Sequence, residues 1–312
     1  MPYRDSPNEE TTDDELPDVS YRLGRAERLI AGAALAVVGL FGFMAIRAEM
    51  AERALRAELL KRHDAVVASL SEAQHSVIPR TDQWTRELGA KAYPGDVVAP
   101  EAKAPGALAA LLAKPGIYLR IGIDDTANEE LIHGAARASV KDSLSMCVLT
   151  PDAGALNEGA PEPEWLGPVA NLKEVHRGLL ALSPGWRKDV AGAGDMLRLV
   201  VLREALDTPN QTEIDRAKSI TDRAGFFLVA VDELPAGWKA SIHESNGKAV
   251  QAVPHPVRVG LYDMSTGELL LRMRREVDAL TLPVSAGSTD AVRRQVQGCE
   301  LGMQVRHLAD SI

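Results

Sequence analysis

The chain is poor in the residues that would let it work on nucleic acid, on a metal or through a covalent intermediate. Aromatic residues make up 4% of its 312 positions, too few to build the platforms on which bases stack. Positive charge is short as well. Lys and Arg number 35 against 44 Asp and Glu, a net charge of −9, whereas nucleic-acid affinity comes mainly from cations that neutralise phosphates. Only two cysteines occur, Cys147 and Cys299, and neither belongs to a CxxC pair or a Cys/His cluster with zinc spacing. HExxH, the Gly-x-Ser-x-Gly elbow and the Walker loop are absent, the seven histidines are scattered, and there is no internal repeat. The sequence therefore nominates no catalytic, cofactor-binding or metal-ligating residue, and no nucleic-acid partner is expected.

What is present is one long apolar run. Leu29 to Ile46, LIAGAALAVVGLFGFMAI, carries no charge over 18 residues and is bracketed by Arg25, Arg28 and Arg47. At about 1.5 Å per residue it spans roughly 27 Å, close to a bilayer's hydrocarbon thickness. A cleaved signal peptide would need a short basic start and a small-residue cleavage site, but a long acidic segment precedes the run and Ile46-Arg47-Ala48 follows it. A buried core helix rarely lacks a polar face over this length. The run is read as an uncleaved, single-pass signal anchor, so a membrane is one expected partner. Gly32 and Ala36 form one small-xxx-small pair, a hint of self-association.

Orientation draws on two opposed signals. Arg22, Arg25 and Arg28 precede the span, while Arg47, Arg53, Arg56, Lys61 and Arg62 follow it, which favours a cytoplasmic C-terminal side by the positive-inside rule. Long domains nevertheless translocate largely regardless of charge. The expected location is the inner membrane of a bacterial envelope, with the C-terminal domain on the periplasmic side.

Residues 1–28 read as a disordered acidic tail, rich in Asp, Glu, Pro, Ser and Thr, with little to bury. Residues 47–78 read as a stalk helix: Ala48, Leu55, Leu59, Val66, Leu70, Ala73 and Val77 make one apolar stripe. Glu49–Arg53, Glu52–Arg56 and Glu58–Arg62 are favourable i,i+4 pairs. His63 and His75 on this helix are expected to be solvated. Pro79 is expected to end it, and the Pro- and Gly-bearing residues 79–105 to form a linker.

Residues 106–312 are expected to form one soluble α+β domain, a mixed or antiparallel sheet packed with helices. Ile117–Ile123 alternates as a strand. Asp124-Asp125-Thr126 then reads as a turn with Thr126 and Glu129 as a capping box, opening a helix with Leu131, Ile132, Ala135, Ala136 and Val140 inward. Ser145–Thr150 is expected as a strand, Pro151–Pro168 as a surface loop and Val169–Leu182 as a helix. Ser183-Pro184 restarts a helix, reaching Leu206 with weak points at Gly192 and Gly194; a further helix covers about Thr212–Ala224. The apolar run Phe226–Asp232 is expected as the central strand, and Asn246-Gly247 as a hairpin turn. Val257–Tyr262 and Glu268–Arg275 form a second hairpin, with Val257, Val259 and Leu261 facing Leu269, Leu271 and Met273. A last helix, about Asp290–Leu308, is expected to turn Val292, Val296, Cys299 and Met303 inward, with Gly298 and Gly302 allowing close approach to the sheet.

Two features bear on function. Arg258, Arg272 and Arg274 fall on one face of the second hairpin, the best candidate binding surface. Cys147 and Cys299 are positioned to meet as a disulfide if the domain is exported. The leading expectation is a non-catalytic protein whose domain binds a protein or envelope component. The alternatives are a membrane-tethered enzyme whose site is assembled only by the fold, around Asp124, Asp125 and Cys147 or a histidine such as His133, His176 or His255, and a scaffold tethered to the cytoplasmic face.

Overall fold

The computed structural model describes residues 24–149, 169–238, 250–278 and 290–311. The acidic tail to Leu23, the Pro151–Pro168 loop and the Asn246-Gly247 turn lie outside the described residues. Helix α1 runs Arg25–Val67. Its first part, to Ala54, forms a unit of its own, while Leu55 onward belongs to the large C-terminal unit. The apolar run lies wholly within α1, with Leu29 at 75% and Phe41 at 66% exposure, and it is long and apolar enough to cross a membrane.

Within the C-terminal unit α1 continues to Val67 with Leu59 fully buried. The expected stalk is broken here and not at Pro79. Ser71 caps a second helix, α2 (Glu72–Leu88), through a capping box with Gln74, and Pro79 lies inside it. An interior proline costs about 3 kcal/mol. The helix persists because Val77, Ile78, Trp84 and Leu88 bury against the sheet.

The chain then passes β1 (Val97–Val98), α3 (Ala107–Leu112) and β2 (Gly116–Gly122). A 3-10 turn, Ile123–Thr126, leads to α4 (Glu129–Ala138). Asn128 caps α4 by accepting from the Leu131 amide, while the Thr126 hydroxyl donates back to the Ile123 carbonyl at 2.7 Å, so the expected Thr126–Glu129 box is not formed. Ile132 and Ala136 are buried, but Leu131 and Val140 are exposed. Helix α5 (Ser143–Leu149) replaces the strand expected at Ser145–Thr150. A short apolar run suits either state, and Asp142 decides it by accepting from the Ser145 amide at 3.2 Å.

Val169 opens a short strand, β3 (Val169–Asn171), before α6 (Leu172–Leu179), whose capping box is Asn171 with Glu174. Ser183 does cap α7 (Pro184–Gly192) with Pro184 in the first turn. The weak point at Gly192 and Gly194 is a full break, after which Asp195 caps α8 (Met196–Asp207). Helix α9 (Gln211–Arg223) starts at an Asn210–Glu213 box. Strands β4 (Phe226–Asp232), β5 (His255–Asp263) and β6 (Leu269–Val277) follow, then helix α10 (Asp290–Ser311).

The strands form one mixed sheet of order β1-β6-β5-β4-β2-β3. Strand β2 is parallel to β3 and β4; the other pairs are antiparallel. Every residue of β4 is buried, so the Phe226–Asp232 run is central as expected. Side chains alternate across the sheet. Ile117, Leu119, Phe227, Val229 and Val231 join one core with α2, α4 and α6 to α9. Tyr118, Phe226, Leu228, Val257, Val259 and Met273 join a second core with α3, α5 and α10. A bulge at Leu261/Tyr262 turns Leu269 to the first core and brings Leu270 beside Leu271 in the second. Helix α10 is also rotated from its expected face. Val292 and Met303 are exposed, whereas Gln297, Leu301 and Val305 are buried.

Candidate functional site

The strand ends settle where polar side chains collect. Strands β2 and β4 run parallel in register from Gly116↔Phe226 to Gly122↔Asp232, so their carboxyl ends open together, the usual position of ligand crevices in α/β sheets. A cleft of about 660 Å³ lies there, lined by Asp124, Lys91, Arg86, Glu233 and Arg258 among others. It brings together two residues that the sequence singled out separately, Asp124 and Arg258. Its floor is tight: a Cβ on Gly89, at the end of α2, would overlap the Thr126 side chain.

Of the three arginines, Arg258 is buried. It donates to Glu233 at 2.6 Å and to the carbonyls of Leu88, at 3.0 Å, and Ala90. Arg274 binds the same Glu233 at 2.8 and 3.1 Å. Burial alone would raise Glu233, but hydrogen bonds from Arg274 and Arg258 outweigh it and hold its carboxyl below the usual range. Arg272 donates to the Gly95 carbonyl at 2.9 Å and lies over the Tyr93 ring. The residues leading into β1, among them Leu88, Ala90, Tyr93 and Gly95, cover this face, which alternation alone does not reveal, so only Arg274 of the three is exposed.

Behind the cleft sits a largely buried ionic cluster, of which the sequence singles out only His255. Arg120 of β2 donates to Asp232 of β4 at 2.8 to 3.0 Å and to Asp142 at 3.2 Å. Tyr118 donates to Asp142 at 2.7 Å, and Gln251 to Asp232 at 2.7 Å. His255 reaches Asp232 at 3.1 Å. Burial would raise the Asp232 carboxyl, but the Arg120 guanidinium and the His255 hydrogen bond bring it to about 2. The only signals were an arginine inside an apolar strand and an aspartate ending another. With each charge paired, the cluster ties β2, β4, β5 and the start of α5 together.

A second cluster joins α2, α4 and α6 and brings His133 and His176, both named from the sequence, to Asp82, which was not. Asp82 Oδ2 contacts His133 Nε2 at 2.7 Å, and the His176 ring meets His133 edge-on with centroids 5.2 Å apart. His176 is buried and neither ring nitrogen has a partner. Burial first, then the nearby His133 and Arg137, push its pKa down to about 3. An Asp–His pair can act as a base, yet among the described residues no hydroxyl or thiol hydrogen-bonds His133 and no group of three ligands is arranged for a metal. The cleft at the ends of β2 and β4 has no described histidine in its lining either. His63, expected in solvent, is buried and stacked on Trp186 at 4.9 Å; His75 reaches the Val67 carbonyl at 3.1 Å.

Asp125 is half-buried beside Asp124, and burial, then that neighbour, raises its carboxyl. Cys147 of α5 and Cys299 of α10 are joined as a disulfide, with Cα atoms 5.1 Å apart. The two helices pack closely there, because Gly298 and Gly302 face α5 and not the sheet. A scan against protein-family models finds no match for this chain, and neither curated proteins nor solved structures supply a similar one.

Proposed function

We propose that this chain is a single-pass protein of a bacterial inner membrane, whose C-terminal domain holds a protein or envelope component without transforming it. The observation that carries the reading is the exposed apolar helix at Leu29–Ile46, joined in sequence to a domain with an open cleft at the carboxyl ends of β2 and β4. The cleft's Arg258 and Glu233 are taken up by each other and by backbone carbonyls, an arrangement suited to holding shape and not to proton transfer. Lys91 and Asp124 remain on its rim as groups of opposite charge, which gives a partner two polar anchors.

A periplasmic domain is supported by the Cys147–Cys299 pairing, since disulfides persist in oxidising compartments. The basic residues after the span pull the other way, but they bear less on a domain of this length.

Photo-crosslinking from native membranes tests the binding reading. A photoreactive residue at Lys91 is expected to give one discrete adduct, and the same residue at Leu197 on α8 is not. A monomer that yields no adduct from the cleft would count against it.

A further inference from the structure

A second cavity lies along the sheet edge formed by β3, away from the cleft. It measures about 590 Å³ and runs into a hollow of about 300 Å³, the two sharing Lys141, Glu174 and Arg216. Lys173 and Arg177, four apart on α6, line one wall; Arg216 and Arg223, seven apart on α9, line the other. The helices themselves touch at Gly178, where a Cβ would lie 2.5 Å from the Glu213 carbonyl, so the groove is the seam between their outward ridges.

Its charge is opposite to that of the chain. Five cations, Lys141, Lys173, Arg177, Arg216 and Arg223, stand against Glu174 and Glu213, in a protein of net charge −9. Both carboxylates are already engaged: Glu174 accepts from the Asn171 amide at 3.3 Å and pairs with Arg216, and Glu213 accepts from the Asn210 amide at 3.2 Å. These capping boxes satisfy helix amides, which leaves attraction for a ligand to the side chains. Lys173 is half-buried, and among the described residues neither it nor Arg177 has a carboxylate partner.

We propose that this groove binds an extended phosphate-bearing anion, with Lys173 and Arg177 as its main contacts. Helix rise separates Lys173 from Arg177 by about 6 Å and Arg216 from Arg223 by about 10 Å, a spacing that suits successive phosphates better than one carboxylate. Arginine forks take two oxygens each and lysine supplies a point charge. Together with the Thr212 and Ser219 hydroxyls, they offer more donors than a carboxylate's two oxygens can use. A soluble phosphate chain and lipid phosphate headgroups share this chemistry.

The test uses the full chain in zwitterionic nanodiscs. Tripolyphosphate is titrated calorimetrically, and vesicles of phosphatidylcholine with or without phosphatidylglycerol are tested by flotation. Saturable binding to either probe, weakened about tenfold or more by K173Q with R177Q and unchanged by K103Q with K188Q, exposed lysines that line neither the groove nor the cleft, supports the proposal. The responding probe identifies the source. The proposal is overturned if neither probe binds, if the K173Q/R177Q chain binds equally at matched thermal stability, or if a polyglutamate peptide binds as tightly. The cleft is read separately by its own crosslink at Lys91, so failure here leaves the cleft reading standing.

Discussion

His255 bridges to Asp232 across neighbouring strands, with Nε2 at 3.1 Å from the carboxylate and Nδ1 at 2.7 Å from the Val253 carbonyl. Asp232 is thereby the hub of the domain's buried charge, bonded also by Arg120 and Gln251. The arrangement makes the ends of β4 and β5 interdependent and supports the floor beneath the cleft.

Asp232→Asn is expected to destabilise the domain by about 3–5 kcal/mol, because it leaves the Arg120 guanidinium buried without its counter-charge. Asp96→Asn, at the more exposed pair with Arg275, should cost no more than about 1 kcal/mol. Denaturant titrations of the full chain in micelles compare the two. The Asp232 carboxyl sits at about 2 in the fold, below the ordinary value of 3.8. Its stabilisation is therefore present above pH 3.8 and lost as pH falls from 3.8 towards 2; the Asn variant should lack that acid limb.

His176 titrates with the opposite chemistry. Its folded pKa of about 3 lies below the ordinary 6.5, so the unfolded chain binds the extra proton between those values. Stability should be complete above pH 6.5 and decline as pH falls towards 3. His176→Phe removes two unpartnered buried nitrogens while keeping the edge contact with His133. It is expected to raise stability by about 1 kcal/mol at neutral pH and to flatten the slope between about pH 6 and 4. A steeper slope in that variant would contradict the assignment.

The α5–α10 contact allows little expansion. A Cβ at Gly298 would come 2.9 Å from the Leu144 amide nitrogen, and one at Gly302 would come 2.9 Å from the Cys147 Cβ. Gly298→Ala should cost about 1–3 kcal/mol through overpacking. Gly192→Ala, in open space at the end of α7, should be neutral or stabilising by up to about 1 kcal/mol. Thermal melts of both variants check the contrast.

Cys147 and Cys299 are 152 positions apart in sequence, so their bond closes a long loop. Chain-entropy arguments give about 4–5 kcal/mol for such a closure. Replacing both by Ser should lower the denaturation midpoint to that of the reduced wild-type protein, and non-reducing electrophoresis should separate the oxidised form from either.

The central strands are legible in the sequence, whereas the short edge strands β1 and β3 are not. Phe226–Asp232 and Val257–Tyr262 announce themselves through continuous and alternating apolar residues, and Ser183-Pro184 through its cap. Ser145–Thr150 misleads because its four apolar residues, Met146 to Leu149, suit helix and strand equally, and the deciding Asp142 lies outside the run. Pro79 misleads because its local cost is outweighed by burial of Val77 to Leu88, a tertiary effect. The site is less legible than the fold. Asp124 and Arg258 meet only because β2 and β4 run parallel, and the Arg258 face is covered by a segment whose path no periodicity encodes. Lys173, Arg177 and Arg216 look like ordinary solvated charges until α6 and α9 are placed side by side.

The proposed role turns on a membrane anchor with its domain outside the cytoplasm. Fusing alkaline phosphatase or green fluorescent protein after Ile312 tests this most directly. Active phosphatase and a dark fluorescent fusion are predicted, both in the membrane fraction. A fluorescent fusion with inactive phosphatase would contradict the periplasmic reading and place the domain on the cytoplasmic side.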